Sequence, residues 1–150
     1  MATAAAIRQE TAALLARFEA MGAERSETGV LQPAEVLLDL YGEDIRGRAY
    51  VTQDALRGEQ MLRPDFTVPV LQAHMAGARG AARYTYAGNV FRRQDANLER
   101  PSEYPQVGLE IFEGAAPEAA EAELFAAFHE VVAGLGVEAR MGDMAILKDA

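Results

Sequence analysis

The sequence predicts an α+β fold, in which mostly antiparallel strands form a sheet with flanking helices. Apolar residues recur at three- and four-residue steps near both ends of the chain, a pattern typical of amphipathic helices. Between these segments lie two candidate strands, 83–93 and 104–113, which contain several tyrosine, valine and phenylalanine residues. The 150 residues suffice for one ordinary domain, so we expect 1–150 to form a single domain.

Two helices and a hairpin are predicted before residue 65. In chain order they are an amphipathic helix over 7–21, a short helix over 33–41 and a hairpin with strands 48–52 and 60–62. Gly22 and Gly42 supply the helix stops, since glycine commonly follows a helix C-terminus. Arg63-Pro64 should end the hairpin, because a residue before proline favours extended geometry and proline donates no hydrogen bond.

The remaining elements alternate between helix and strand. They are a helix from about 65 to 77, the strands 83–93 and 104–113 joined by the polar loop 94–102, a helix over 116–133, and a strand over 137–141 before a helix start at Asp143. On the first of these helices we expect Val70, Leu71 and Met75 to face inward. Gly134 and Gly136 should end the second helix.

The charge is negative overall but unevenly distributed. The chain has 14 Lys and Arg against 23 Asp and Glu, a net charge of −9, which opposes non-specific binding of nucleic acids. In the segment 63–100, six arginines against three acids give +3. Arginine suits carboxylate and phosphate groups, so this segment favours a small anionic ligand over a long polyanion. The alternative, which composition alone favours, is that these arginines pair with the protein's own acids.

The absence of cysteine excludes disulfide bonds, a thiolate zinc site and a cysteine nucleophile. The two histidines, His74 and His129, each lack a second ligand at metal-binding spacing, so we interpret both as packed or surface residues. No apolar run is long enough to cross a bilayer, and no charged segment precedes one as in a signal peptide. We therefore predict no metal, no cofactor, no membrane association and a cytoplasmic location.

The strand 104–113 places polar groups on one face. Side chains alternate along a strand, so Gln106, Gly108 and Glu110 share one face and the apolar residues between them share the other. Gln106 and Glu110 lie about 13 Å apart at roughly 3.3 Å per residue, and Gly108 should leave open space between them. This face could bind a polar ligand that carries an amino group. The alternative is a solvent-exposed face, which polar alternation alone favours.

Two other segments add candidate groups. Asp65 and Thr67 stand where a strand passes into a helix. Helix capping is their ordinary role, although the free N–H groups of a helix start can also hold a ligand carboxylate. Arg92 and Arg93 point to opposite faces of their strand, so one of them should face a pocket or a partner. A surface position is the simpler interpretation of each.

Three segments occur in an order and at a spacing that resemble a known catalytic fold. They are "LRPDFT", "YAGNVFRR" and "EYPQVGLEIFEG". Together they resemble the first half of the histidyl-tRNA synthetase-like domain, a class II aminoacyl-tRNA synthetase fold. The resemblance covers most of the chain from about Gly22 onward. Because that fold normally continues well past 150 residues, we expect 1–150 to be its N-terminal half, incomplete at the C-terminus.

The resemblance assigns roles to five residues by position. Asp65 and Thr67 would contact the α-amino group of an amino acid. Arg92 would be the motif 2 arginine. Gln106 and Glu110 would line a histidine pocket. These roles follow from the resemblance and not from the spacing of the residues.

The chain also departs from the synthetase pattern. Asp65 replaces the family's Glu and Phe66 its Gly, while Gln94 replaces the acid that helps to orient ATP. The segment 99–102 replaces a Gly-Arg-x-Arg loop that handles phosphates and the tRNA end, and no motif 1 proline stands near Thr28. The amino-acid side of the pocket is therefore retained, whereas the ATP and tRNA side is changed.

In this respect the chain resembles the ATP phosphoribosyltransferase regulatory subunits, which are a non-catalytic branch of the family. The segments "LQPAEVLLDLYGEDIRGRAY" and "LRPDFTVPV" are similar to its shorter members. The resemblance implies a non-enzymatic subunit that is required by ATP phosphoribosyltransferase, the enzyme of the first step of histidine biosynthesis. It would form a homodimer within a hetero-oligomer, with a short-form catalytic ATP phosphoribosyltransferase as partner, histidine as effector and no specific nucleic acid. The alternatives are a histidyl-tRNA synthetase fragment that activates histidine with ATP, and a stand-alone amino-acid sensor.

Overall fold

The computed structural model describes residues 2–42, 44–77, 80–94, 99–138 and 140, and the chain divides into two compact units, 1–112 and 113–150. The second unit holds α5 (Pro117–Val132) and a 3₁₀ turn (Ala133–Leu135). The first unit holds, in chain order, α1 (Ala4–Ala20), β1 (Glu24–Arg25), β2 (Leu31–Pro33), α2 (Ala34–Tyr41), α3 (Asp44–Arg48), β3 (Val51–Asp54), β4 (Gly58–Leu62), α4 (Thr67–Gly77), β5 (Ala82–Phe91) and β6 (Glu103–Phe112).

The larger of the two sheets has the strand order β1, β5, β6. Strands β5 and β6 pair antiparallel along their whole length, which sets Tyr84 opposite Glu110 and Tyr86 opposite Gly108. Residues directly opposite each other in an antiparallel pair present their side chains on the same face. The tyrosines of β5 therefore share a face with Glu110. At the other edge of β5, the short strand β1 pairs in parallel.

Different helices cover the two faces of this sheet. The ring of Phe66, just before α4, stacks on Tyr86 at a centroid distance of 4.4 Å, and His74 within α4 stacks on Phe112 at 4.1 Å. Helix α1 packs against β5 and β6. Arg83, whose position in the strand alternates to the opposite face, donates a hydrogen bond to the backbone that follows α1. The sheet is therefore packed on both sides.

The second sheet has the order β2, β4, β3, with antiparallel pairing throughout. The β3–β4 turn closes at Gly58, whose φ of 76° lies in the left-handed region that favours glycine. Apolar side chains from α2, α3 and β4 form a core beside this sheet, in which Leu37 and Met61 are fully buried. Strand β4 leads directly through residues 63–66 into α4, so this core anchors the start of that helix.

The ends of α1 and α2 follow from local chemistry, and the two glycine stops are those that the sequence predicts. The hydroxyl of Thr3 accepts the N–H of Ala6 at 3.1 Å and so caps the start of α1. Gly22 and Gly42 follow α1 and α2 with φ values of 85° and 73°. A side chain would strain the backbone at both positions, which is why the helices stop there.

The predicted α+β class is confirmed, and the helices, the hairpin and the two long strands lie within a few residues of their predicted bounds. Three short elements, β1, β2 and α3, were not predicted. The first hairpin strand begins at Val51 and not at residue 48, because α3 extends through Arg48. Residues 137, 138 and 140 of the predicted strand 137–141 are described and form no strand, whereas the predicted helix start at Asp143 lies outside the described residues. The single-domain organisation stays a prediction.

The inward face of α4 was predicted only in part. Val70 is buried as expected, but Met75 is 58% exposed. His74 is buried instead, because its ring fits between Tyr84 and Phe112 on the sheet.

Candidate functional site

A cluster of carboxylate and hydroxyl groups lies where the start of α4 meets β5 and β6. Glu110 on β6 is its centre. Its Oε1 accepts a hydrogen bond from the hydroxyl of Thr67 at 2.9 Å and another from the hydroxyl of Tyr86 at 3.2 Å. Both hydrogen bonds that Glu110 makes with described residues end on Oε1. Its second oxygen accepts no hydrogen bond from the described residues.

A second carboxylate, Asp65, lies just before α4. The hydroxyl of Tyr41, at the end of α2, lies 2.8 Å and 2.9 Å from its two oxygens. The backbone N–H of Thr67 donates to Asp65 Oδ1 at 3.2 Å, so the predicted capping role is combined with a tertiary contact. Thr67 links the two carboxylates, since its amide binds Asp65 and its hydroxyl binds Glu110.

The space above Gly108 is filled and not open as predicted. A Cβ added at Gly108 would overlap the ring of Tyr86, so this ring lies directly over the glycine backbone. The same face is covered further by Phe66, and both Gln106 and Glu110 are half-buried. The alternative of a solvent-exposed face is therefore also wrong. The glycine accommodates a tyrosine of the neighbouring strand.

Arg63 packs on Phe66, the ring that stacks on Tyr86, and is only 6% exposed. Its guanidinium carbon stands 4.0 Å from the centroid of the Phe66 ring. Its nitrogens donate to the carbonyls of Thr28 at 2.6 Å and Asn89 at 3.0 Å. Burial lowers the pKa of Arg63 from its ordinary value.

Arg92 borders the cluster on the side of β5. Its Nε donates to the carbonyl of Pro64 at 2.7 Å, and its guanidinium carbon lies 5.9 Å from the Tyr104 ring centroid. Within the described residues, Arg92 and Arg63 hydrogen-bond to backbone carbonyls and form no ion pair with an acid. The alternative given for the segment 63–100, in which its arginines pair with the protein's own acids, therefore does not describe these two residues.

The two tyrosine hydroxyls resist ionisation. Burial raises the pKa of Tyr86, and the nearby charge and hydrogen bond of Glu110 raise it further, while interactions with Gln106 and Thr67 oppose the shift. Burial also raises the pKa of Tyr41, with the hydrogen bond and charge of Asp65 acting in the same direction. Both hydroxyls therefore stay protonated and act as donors to the carboxylates at neutral pH.

These groups suit binding better than metal coordination. Asp65 and Glu110 receive hydrogen bonds from neutral hydroxyl and amide donors, and neither forms an ion pair within the described residues. Two carboxylates without a cationic partner favour a ligand with positive charge and N–H donors. Among the described residues, no group of three or more His, Cys, Asp or Glu is placed to hold a metal ion.

The model of the histidyl-tRNA synthetase family matches residues 1–148 of the sequence. The chain belongs to the histidyl-tRNA synthetase family. A protein from Allorhizobium ampelinum, named ATP phosphoribosyltransferase regulatory subunit, is 37% identical over 91% of the chain and 37% of its own length. A protein of the same name from Sinorhizobium fredii is 45% identical over 65% of the chain and 25% of its own length. The chain thus spans between about a quarter and somewhat over a third of these relatives.

Solved structures show the class II synthetase fold. An ATP phosphoribosyltransferase regulatory subunit/histidyl-tRNA synthetase from Bacillus halodurans matches with a TM-score of 0.67 at 21% identity, over 87% of this chain and 34% of that one. A histidine–tRNA ligase subunit from Alicyclobacillus acidocaldarius matches with a TM-score of 0.66 at 23% identity, over 87% and 38%. Within the described part of the chain, no helix is long and apolar enough to span a membrane.

The structure of this family member brings the five predicted site residues around two tyrosines. Asp65 contacts Tyr41, and the charge of Arg92 acts on the same tyrosine. The other three predicted residues, Thr67, Gln106 and Glu110, interact with Tyr86. Their role in ligand binding stays a prediction, but their proximity is a property of the fold.

Tyr41, Tyr86 and Arg63 were missed by the sequence analysis. A usable pattern existed for Tyr86, because Tyr84, Tyr86 and Gly88 alternate in phase along one strand, as Gln106, Gly108 and Glu110 do along the next. Only the register sets Tyr86 opposite Gly108. Tyr41 and Arg63 lie in segments that carry the family resemblance, but no local pattern predicts their contacts, since their partners are 24 to 35 residues away.

Proposed function

We propose that the chain is part of a non-catalytic regulatory subunit of ATP phosphoribosyltransferase, required for the first step of histidine biosynthesis and for its feedback regulation by histidine. Curated relatives at 37% and 45% identity bear that subunit's name, which supports the assignment. The proposed partner is a short-form catalytic subunit, within a hetero-oligomer that contains a homodimer of the regulatory chain. We place this complex in the cytoplasm.

The observation that carries the ligand assignment is the pair of carboxylates at the start of α4. Asp65 and Glu110 are held by hydroxyl groups and lack a cationic partner among the described residues. Histidine supplies an α-ammonium group and imidazole N–H groups, which match such acceptors. Thr67 binds both carboxylates, one through its amide and one through its hydroxyl, which supports the proposal that one small ligand contacts both.

Regulation by histidine requires that the two states of the complex bind histidine with different affinities. A ligand that binds both states equally well does not shift the equilibrium between them. The site lies between the start of α4 and a sheet that α1 covers on its other face. A ligand that contacts Asp65 and Glu110 together would stabilise one arrangement of α4 on the sheet. We propose that the catalytic partner senses this arrangement.

The regulatory subunit as a whole can be tested by reconstitution. The full-length gene product is co-expressed with the short-form catalytic subunit of the same organism. We expect the two to co-purify, the transferase to be more active in the complex than alone, and added histidine to reduce that activity. Separate elution with no change in transferase activity would contradict the proposal.

A histidyl-tRNA synthetase is the second candidate, because the matching family model bears that description. The motif 2 side of the site argues against it. Gln94 stands where that activity requires an acid to orient ATP, and it lies 3.5 Å from the carbonyl of Pro101 through its side-chain nitrogen. We therefore expect no histidine-dependent pyrophosphate exchange above a no-enzyme control. Robust exchange by the full-length protein would favour the synthetase.

A further inference from the structure

Tyr86 is held on both faces of its ring. On one side the ring of Phe66 lies 4.4 Å away at an interplanar angle of 7°. On the other side is the backbone of Gly108, where even a methyl group would overlap the tyrosine. A ring confined in this way cannot change its side-chain rotamer without moving one of its two neighbours. The position of its hydroxyl is therefore determined by packing.

Phe66 is fixed in turn. It is fully buried, and the guanidinium of Arg63 lies over its opposite face at 4.0 Å. Arg63 is anchored to the carbonyls of Thr28 and Asn89. We call this arrangement the Arg63–Phe66–Tyr86 stack. A Cβ at Gly88 would approach Arg63 Nη2 to 2.6 Å, so the strand backbone also limits the movement of the stack.

The stack ends at the carboxylate of the candidate site. The Tyr86 hydroxyl lies 3.2 Å from Glu110 Oε1, and the Thr67 hydroxyl occupies the same oxygen at 2.9 Å. Two donors on one oxygen restrict the rotation of the carboxylate group.

We propose that Tyr86, held by Phe66, is a positioning residue that orients Glu110 to accept an N–H donor from a cationic ligand. The ligand class is a compact ammonium or imidazole compound, and the inference rests on the proposed histidine site. Tyr86 contacts Glu110, and its proposed role requires no contact with the ligand. Its contribution is to hold the acceptor in place before binding, which reduces the entropy lost when the ligand binds.

The test compares two isosteric variants in the full-length protein. Tyr86→Phe keeps the stacked ring and removes the hydroxyl that binds Glu110. Tyr84→Phe is the matched control, because it makes the same change two residues away on the same face, where the hydroxyl lies 3.1 Å from His74 Nδ1. Histidine is titrated into each by calorimetry. We expect about threefold to tenfold weaker binding for Tyr86→Phe, and a change within about twofold for the control.

A double-mutant cycle separates positioning from a general structural role. In a Glu110→Gln background, adding Tyr86→Phe should weaken binding no further, since the hydroxyl then has no carboxylate to orient. Phe66→Leu keeps an apolar side chain but removes the stacking ring. It should weaken histidine binding when Glu110 is present and should not weaken it further in the Glu110→Gln background. Melting temperatures recorded for every variant show that each protein is folded.

Three outcomes would overturn the inference. If wild type binds histidine and Tyr86→Phe binds it equally well, the positioning role of Tyr86 is wrong, while the proposed histidine site stands. An equal loss of affinity in both backgrounds would assign Tyr86 a merely structural role. Failure of the wild-type protein to bind histidine would overturn the proposed function, and this inference with it.

Discussion

At the scale of single residues, Glu110 is the group on which the proposed ligand site depends most. Glu110→Gln removes the negative charge and keeps the shape of the side chain. Because charge-assisted hydrogen bonds contribute roughly 1.5–3 kcal/mol, we expect histidine affinity to fall about tenfold or more. Assembly with the transferase should persist, while the effect of histidine on its activity is reduced. Calorimetric titration and an activity assay measure the two effects.

Glu103→Gln is the matched control, since Glu103 lies on the same strand and its carboxylate binds the side chain of Asn89 at 2.6 Å. We expect its histidine affinity to match that of wild type within the ±0.5 kcal/mol or so typical of surface changes. Equal affinities in wild type and Glu110→Gln would remove Glu110 from the site.

Tyr86 gives a spectroscopic prediction. The pKa of Tyr86 is raised, first by burial and then by Glu110, so Glu110→Gln should lower that pKa toward the ordinary value of about 10. An ultraviolet titration measures tyrosine ionisation, and its loss in Tyr86→Phe identifies the transition. An unchanged titration in Glu110→Gln would show that the carboxylate does not act on this hydroxyl.

Because the pKa of Tyr86 is raised in the folded protein, the free energy of unfolding depends on pH in the alkaline range. A folded-state pKa above the unfolded one means that above about pH 10 the unfolded chain loses this proton first. The stabilising contribution is therefore complete below about pH 10 and is lost as the pH rises toward the folded-state pKa. Tyr86→Phe should lose less stability over that range than wild type.

The limits of sequence analysis at this scale are set by distance along the chain. Asp65, Thr67 and Glu110 were identified because each stands in a local pattern, a helix start or a polar strand face. Tyr41 reaches Asp65 across 24 residues, and periodicity describes only one element at a time. Tyr86 would have required the register between two strands, which no local pattern fixes.

At the scale of elements, glycines show how closely β5 and β6 approach their neighbours. Gly108→Ala would place a methyl group in the Tyr86 ring, which Phe66 prevents from moving away. We expect a loss of about 1–3 kcal/mol in the free energy of unfolding, as for other overpacked sites. Chemical denaturation measures it, and the Tyr86–Glu110 contact should be lost as well.

Gly47→Ala provides the opposite case. Gly47 lies in the short helix α3, and a Cβ there would meet nothing within 4 Å. Since alanine favours helix over glycine by up to about 1 kcal/mol, we expect this variant to be slightly more stable than wild type. Equal destabilisation by the two substitutions would contradict the packing described for Gly108.

Long elements were predictable, whereas the two shortest strands were not. The helices α1 and α5 and the strands β5 and β6 contain enough residues for a period to be recognised. Strand β1 has two residues and β2 has three. Strands this short are specified by the partner with which they pair, so their own sequence carries no alternating pattern.

At the scale of the whole molecule, the charge distribution bears on nucleic-acid binding. The chain carries a net charge of −9, and Arg63 and Arg92 donate to backbone carbonyls of the protein. We therefore expect the full-length protein to bind tRNA weakly and without selectivity at physiological salt. A gel-shift titration with histidine tRNA and an unrelated tRNA measures this. Tight, selective binding of histidine tRNA would contradict it.

The anchoring of Arg63 has a consequence for the order of folding. Its carbonyl acceptors lie 35 residues earlier, at Thr28, and 26 residues later, at Asn89. Closing loops of this length costs chain entropy before any contact is gained, which slows the formation of non-local contacts. A guanidinium cannot be buried until both acceptors are in place, because an unpaired buried charge is strongly unfavourable. The site should therefore be among the last parts of the domain to form, after β4 and β5 have come together.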